Sequence, residues 1–179
     1  AGTYPLSRKF TVGDEASFVQ TDYLTGVEVN RYTLRVTRVD EDADRVEYNN
    51  GLMISDTMGN SLKRGQLVFD APVQFNPAEL QIGKKWTASF KRTDAGRVSF
   101  AFYDLNIVSR EKVKVPAGEF DAFKIEARGW NRTEGAQLEV NQWLVPGLNI
   151  HVKFEWVVRS RGHYVVTQRH ELVSIKQLG

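Results

Sequence analysis

The sequence predicts an all-β fold, an antiparallel meander that forms a strongly curved sheet or an open half-barrel. Along most of the 179 residues, apolar and polar side chains alternate with a period of two, as in antiparallel strands that bury one face. No amphipathic stretch of helical period interrupts this pattern. The segments follow one another through short turns, which favours pairing between neighbours in sequence. Residues 1–179 contain no linker and are predicted to form one β domain.

The N-terminal part is predicted to begin with an extended lead-in over residues 5–13 and to continue as strands. These predicted strands cover residues 16–23, 27–39, 45–48, 52–55 and 66–69. The run Asp40–Asp44 and the pair Asn50-Gly51 supply turns between them. The run opens with the spacing of a calcium loop, but Arg45 stands where that loop needs glycine and Gly51 where it needs a bidentate glutamate. A solvated acidic hairpin tip is therefore expected.

Residues 72–83 are the least regular part of the chain, and one helical turn is expected there at Pro77–Leu80. A curved sheet without covering helices must bury its concave face against side chains, a loop or a ligand. This irregular segment is therefore expected to form a flap over the opening of the sheet.

The C-terminal part is predicted to consist of long strands. They cover residues 86–91, 98–103, 106–115, 120–130, 136–145, 148–159 and 164–176. Pro116-Ala117-Gly118 forms the corner of a long hairpin, because proline ends a strand with little harm and glycine permits a positive φ. Phe123 and Ile125, which follow this corner, alternate with polar residues and are expected to enter the core.

The composition excludes several classes of function. Lys and Arg number 24 against 22 Asp and Glu, which leaves a net charge of +2 and no strong field for nucleic acid or an anionic membrane. The absence of cysteine excludes disulfides, thiolate nucleophiles and iron–sulfur clusters. No apolar run approaches the roughly 20 residues that a membrane-spanning helix needs. No nucleic-acid partner, transmembrane segment, metal or cofactor is expected.

No motif predicts catalysis. The sequence contains no nucleophile elbow, no phosphate-binding glycine loop and no dinucleotide fingerprint. His151, His163 and His170 lie too far apart for a local metal pair, and all three are expected to be exposed on the surface. Glu126 and Glu139 occupy polar positions of neighbouring predicted strands, where pairing with lysine or arginine is expected rather than acid–base chemistry. The protein is therefore expected not to be an enzyme.

Aromatic residues on the predicted strands are the strongest candidates for a binding function. They either fill the core of the curved sheet or line a cavity for an apolar ligand, and the sequence leaves both alternatives open. The candidate ligand-binding residues are Trp86, Phe90, Phe100, Phe102, Trp143, Phe154 and Trp156. Ile150, Val152, Phe154 and Trp156 form one apolar side of a predicted strand, and Val98, Phe100 and Phe102 form that of another. The expected partner is a hydrophobic small molecule or a lipid.

Three stretches resemble a group of bacterial envelope proteins. They are residues 113–126, with the Pro-Ala-Gly corner; residues 141–155, with an aromatic strand, a Pro-Gly turn and Lys-Phe-Glu; and residues 82–86, with a glycine before Trp86. Together they are similar to the DUF3108-like and TapB-like proteins of unknown function. The matched residues are structural types, so the resemblance supplies no catalytic residue.

The resemblance implies a periplasmic or secreted location, with a signal peptide already removed. It also suggests, by analogy of fold, the open half-barrels of the LolA and LolB lipoprotein carriers. A binding or carrier module for an apolar or amphipathic, lipid-like ligand is the function expected first. The alternative is a structural or protein-interaction module of the envelope that acts through a sheet edge or a dimer face.

Overall fold

The computed structural model describes residues 2–179, and every regular element among them is a β-strand. The strands are β1 (Tyr4–Pro5), β2 (Glu15–Asp22), β3 (Glu28–Asp40), β4 (Arg45–Tyr48), β5 (Met53–Ser55), β6 (Ser61–Arg64), β7 (Leu67–Phe69), β8 (Glu79–Leu80), β9 (Lys85–Asp94), β10 (Arg97–Val115), β11 (Gly118–Asn131), β12 (Ala136–Leu144), β13 (Lys153–Ser160) and β14 (His163–Lys176). Residues 2–179 include no helix with the length and apolar character needed to cross a membrane.

Twelve strands close into one antiparallel barrel in the order β10-β11-β12-β13-β14-β2-β3-β4-β5-β6-β7-β9, and β9 returns to β10. The remaining two strands, β1 and β8, form a small separate sheet. The predicted all-β antiparallel fold is confirmed. Closure goes further than the expected half-barrel, since β7 pairs with β9 from Leu67↔Asp94 to Phe69↔Arg92. Closing the ring in this way removes most of the free edges that an open sheet would expose.

The longest hairpin of the barrel is formed by β10 and β11. Val115 pairs with Gly118 across the corner, and Gly118 has a φ of 140°, as the sequence predicts. Phe123 and Ile125 are buried in the core, which confirms their expected direction. At Gly129 a Cβ would lie 1.8 Å from the carbonyl oxygen of Phe102, so the close approach of the two strands requires glycine there.

Several predicted elements differ in the structure. The strands predicted at 98–103 and 106–115 are one strand, β10, with a register shift between Ile107 and Ser109. β6 was not predicted, because its Ser-Leu-Lys-Arg sequence has no apolar alternation. The helical turn expected at Pro77–Leu80 is wrong, because Glu79–Leu80 extends and pairs with β1. The strand predicted from residue 148 begins only at Lys153.

The two ends of the barrel differ. One end, the floor, is closed by residues 5–13, 72–83 and 145–152, tied together by the bonds Leu6 N to Ala78 O (3.0 Å) and Gly147 N to Leu6 O (3.1 Å). The other end, the mouth, is formed by the turns at residues 95–96, 132–135 and 161–162. Residues 72–83, expected as a flap over the opening, therefore belong to the floor, where Leu80 is fully buried.

Candidate ligand-binding cavity

The barrel encloses a cavity of about 820 Å³ that runs from the floor to the mouth. This volume lies within the range of about 300–1,000 Å³ typical of small-molecule sites. The cavity lining is exposed to the outside at Ala95, Arg97, Glu134 and Val165, all in or beside the turns of the mouth. The cavity is therefore accessible from that end.

One side of the cavity is an aromatic and aliphatic wall. Phe90 stacks on Tyr103 with 5.9 Å between ring centroids, and Phe69 and Phe75 pack edge-on against these rings at 5.4 and 5.0 Å. Branched side chains from β12, β13 and β14 continue the wall; these are Leu138, Val140, Val158 and Val166. Such a surface gains free energy when an apolar group covers it, about 25 cal/mol per Å².

Another part of the cavity lining is formed by Tyr32, His151, Phe154 and His170, with the buried Phe18 packed against Tyr32 and His151. Phe18 stacks on Tyr32 at 5.4 Å, and His151 lies 5.3 Å from Phe18 and 5.1 Å from Phe154. His170 lies 5.6 Å from Tyr32, with the rings edge-on. Polar edges are therefore offered beside apolar faces, as an amphipathic ligand requires.

Both cavity histidines are held neutral at physiological pH. Burial, followed by the charges of His170, Arg8 and Arg64, lowers the pKa of His151 to about 3. Burial and the charge of Arg64 lower the pKa of His170 to about 4. A neutral His170 ring has a hydrogen-bond partner for each nitrogen: Nε2–H donates to Gln168 Oε1 (2.9 Å), and Nδ1 accepts from the Tyr32 hydroxyl (2.7 Å).

Two arginines place positive charge inside the barrel. Arg8 comes from the floor and Arg64 from β6, and both line the cavity. The Nε atom of each is fully buried and has no hydrogen-bond partner among residues 2–179. Burial lowers the pKa of Arg8 to about 10 and also lowers that of Arg64; guanidinium groups keep their proton in proteins. The guanidinium of Arg64 lies 5.7 Å from the ring centre of Trp156.

The charges at the mouth are arranged differently from those inside. Arg92 lies 3.8 Å from Asp94, and Arg97 lies 3.8 Å from Glu134. Arg92 and Arg97 thus each have a carboxylate beside them, whereas the Nε atoms of Arg8 and Arg64 have no hydrogen-bond partner in the part of the chain that the structure describes.

The structure brings three of the seven predicted site residues to the cavity. Phe90, Phe154 and Trp156 line it. Trp86 points to the same side of β9 as Phe90 but belongs to the floor, where its Nε1 donates to the carbonyl oxygen of Gln74 (2.7 Å). Trp143 is buried in a second core cluster and donates from Nε1 to Glu111 (2.9 Å), so it does not line the cavity.

The predicted inward direction of Phe100 and Phe102 is wrong. Ser99, Ala101 and Tyr103 are the buried positions of this part of β10, and Phe100 on the outer face is 55% exposed. The inward positions near the mouth are occupied by the small side chains of Ser99 and Ala101, which leave room for the cavity. The more apolar side of this part of the strand therefore faces outward. Outside, Phe102 is covered by the guanidinium of Arg132 at 4.8 Å.

Sequence reasoning missed the polar interior. His151 and His170 were expected on the surface, yet both are partly buried and line the cavity, whereas His163 is exposed as predicted. His151 breaks the apolar alternation because residues 150–152 belong to the floor and not to a strand. The burial of Arg8 and Arg64 cannot be predicted from the residues beside them in sequence, because only the closure of the barrel encloses these side chains.

Side chains that commonly bind metals are dispersed rather than clustered in the described part of the chain. Among residues 2–179, no group of three or more His, Cys, Asp or Glu could hold a metal ion. Glu139 lies 3.7 Å from Arg128 on the neighbouring strand, which confirms its predicted cross-strand pairing, whereas Glu126 lies 4.0 Å from Arg128 of its own strand. The interior offers neutral imidazoles, phenols and guanidinium groups, which can bind and orient a ligand.

Comparison with known proteins shows the fold. No protein-family model matches the sequence, and no curated protein matches it. A Bacteroides fragilis protein of YmcC-like fold, inferred to be exported, matches 99% of this chain and 100% of its own, with a TM-score of 0.58 and 16% identity. A Parabacteroides distasonis protein inferred to be a lipoprotein matches 97% of each chain, with a TM-score of 0.59 and 14% identity. The hypothetical lipoprotein YmcC of Escherichia coli K12 matches 91% of this chain and 85% of its own, with a TM-score of 0.56 and 9% identity.

These matches establish a YmcC-like barrel fold for the chain. At such low identities they carry no site residue and no activity across. None of the three neighbours is described as an enzyme. They agree with the sequence resemblance in being exported proteins or lipoproteins, while the assignment to the DUF3108-like or TapB-like group stays a prediction.

Proposed function

We propose that this protein is a non-enzymatic binding or carrier module of the bacterial cell envelope, and that it holds a lipid-like, amphipathic ligand inside its barrel. The observation that carries the proposal is the cavity of about 820 Å³, whose lining combines aromatic and aliphatic side chains with imidazole, phenol and guanidinium groups. A core built only for stability would be packed at close to crystal density, with few voids larger than a water molecule.

The proposed location in the periplasm or outside the cell rests on the YmcC-like neighbours, which are described as exported or as lipoproteins. A carrier in that compartment shields an apolar chain from water. Each buried methylene contributes about 0.8 kcal/mol, so burial of an acyl chain along the wall supplies a large favourable term that opposes the cost of association. Access through the mouth allows exchange without unfolding of the barrel.

Native mass spectrometry of freshly purified protein tests the proposal. We expect a mass excess that organic extraction removes, together with uptake of the fluorescent fatty acid cis-parinaric acid by the extracted protein. A protein that is purified without any adduct and that takes up no cis-parinaric acid at micromolar concentrations would sink the proposal.

A second candidate function is association through a sheet edge. Residues 28–32 of β3 pair with β2, whereas pairing with β4 starts only at Val36. Val27 and Val29 beside this edge are 60% and 58% exposed. Light scattering after size exclusion tests the candidate: a dimer that Val29→Lys converts to a monomer supports it, and a strict monomer contradicts it.

A further inference from the structure

We infer that the ligand carries an anionic headgroup, a carboxylate or a phosphate, which the guanidinium groups of Arg64 and Arg8 bind inside the barrel. The inference rests on the proposed binding function and specifies the chemical class of the ligand. The headgroup meets the arginines, and the apolar part lies along the wall formed by the rings of Phe69, Phe90 and Tyr103.

The first step is the unmet bonding capacity of Arg64. Its Nε is fully buried and unpartnered. Burial is the main cause that lowers its pKa, and the other groups that act on this pKa are the phenols of Tyr103 and Tyr32 and the guanidinium of Arg92, none of them a carboxylate. Buried polar groups in folded proteins nearly always have a partner, and a buried cation without one costs far more than a neutral group. The missing partner is most simply an anion that arrives with the ligand.

The second step concerns Arg8, which has a carboxylate in its neighbourhood. Burial lowers the pKa of Arg8, and Tyr48 and the charge of Asp56 oppose this effect in part. Its oxygens, however, accept bonds from the backbone N–H groups of Met58 (3.0 Å) and Asn60 (2.8 Å) and from the Asn60 amide (3.1 Å). Asp56 is thus committed to its own turn, and the buried Nε of Arg8 stays unpartnered.

The third step is that both arginines line the same cavity as His151. Both charges lower the pKa of His151, which lies between the ring of Phe18 and that of Phe154. Guanidinium groups bind carboxylates and phosphates with paired, charge-assisted hydrogen bonds. A neutral His151 and the neutral phenol of Tyr32 add further hydrogen-bonding groups beside them without opposing charge.

The test is a fluorescence titration of lipid-extracted protein with cis-parinaric acid and with its methyl ester, which lacks the charge and adds one methyl group. We expect the acid to bind at least about tenfold more tightly than the ester. Arg64→Met is expected to remove most of this preference and Arg8→Met part of it. Arg132→Met, on the outside of the barrel, is the matched control and is expected to keep it. Melting temperatures of all variants establish that they are folded.

Competition assays separate the two headgroups. Displacement of cis-parinaric acid by dodecanoate and by dodecyl phosphate is compared with displacement by uncharged dodecanol. Stronger competition by either anion supports the inference, and the better one identifies the headgroup. Equal binding of acid and ester, or a preference that survives in both arginine variants, overturns the anionic site while the carrier function stands. Absence of binding by every probe overturns the carrier function itself.

Discussion

Replacement of Arg64 by methionine is expected to stabilise the ligand-free protein while it weakens anion binding. Arg64 lines the cavity, its Nε is buried without a partner, and Arg92 is among the charges that act on it. A methionine of similar length keeps the contacts of the aliphatic stem. The substitution removes only the unpaired charge, whose desolvation opposes folding.

The magnitude follows from the surroundings of this side chain. A fully buried, unpaired ion costs several kcal/mol. The remaining surface of Arg64 faces the cavity, and the cation–π contact with the ring of Trp156 at 5.7 Å offsets part of the desolvation free energy. We therefore expect a net gain of about 1–2 kcal/mol in the free energy of unfolding, on the order of 3–6 °C in melting temperature for a chain of this size.

Urea denaturation followed by circular dichroism, on protein freed of ligand by extraction, measures this gain. The matched control is Arg97→Met, because Arg97 is exposed and its contact with Glu134 is 3.8 Å long, so no measurable change is expected. A loss of stability in Arg64→Met of the size seen for ordinary core substitutions would refute the reasoning. It would mean that groups of the protein itself stabilise the guanidinium, so that a ligand is not needed as its partner.

Three further predictions follow from the interior of the barrel. Acidification from pH 7 to pH 5 is expected to lower the free energy of unfolding by about 4 kcal/mol, about 2 from each histidine, because His151 and His170 have folded-state pKa values of about 3 and about 4 against about 6.5 when unfolded. The unfolded state then binds more protons, so stability is full above pH 6.5 and is lost as the pH falls; denaturation at a series of pH values measures the slope. Ala101→Leu is expected to fill part of the cavity, which Ala101 lines, and to weaken uptake of cis-parinaric acid several-fold in a titration without unfolding the protein. Gly129→Ala is expected to destabilise by at least about 3 kcal/mol in urea, because its Cβ would lie 1.8 Å from a carbonyl oxygen of β10.

Each of these predictions has a control and a result that would contradict it. His163→Asn, at an exposed position, should leave the pH slope unchanged, and a slope insensitive to both His151→Phe and His170→Phe would exclude the cavity histidines as its source. Ala101→Leu with unaltered uptake would place the ligand elsewhere. Gly135→Ala, where a Cβ meets nothing within 4 Å, should cost only about 1 kcal/mol, and an equal cost at Gly129 would contradict the steric argument.

Local patterning was enough to predict the class of fold. The period of two, the Pro116-Ala117-Gly118 corner and the inward direction of Phe123 and Ile125 all depend on near neighbours in sequence, and the structure confirms them. Closure of the barrel could not be deduced in the same way. It depends on the pairing of β7 with β9 across the irregular segment 72–83.

The cavity was only partly predictable for the same reason. Hydrophobicity marks residues that avoid water, and a cavity wall needs both space and polar groups. Phe100 was therefore expected inside although the small Ala101 takes that position. His151 was expected on the surface and Arg64 was not a candidate, because no residue adjacent to either one indicates that distant strands enclose it.

Quenching of tryptophan fluorescence by a brominated fatty acid tests the central claim most directly. Of the four tryptophans, Trp156 lines the cavity, while Trp130 is 42% exposed on the outer face. If the ligand binds inside the barrel, quenching is saturable, Trp156→Phe abolishes it, and Trp130→Phe leaves it intact. Quenching that persists without Trp156 and disappears without Trp130 would place the ligand on the outside of the barrel and contradict the account.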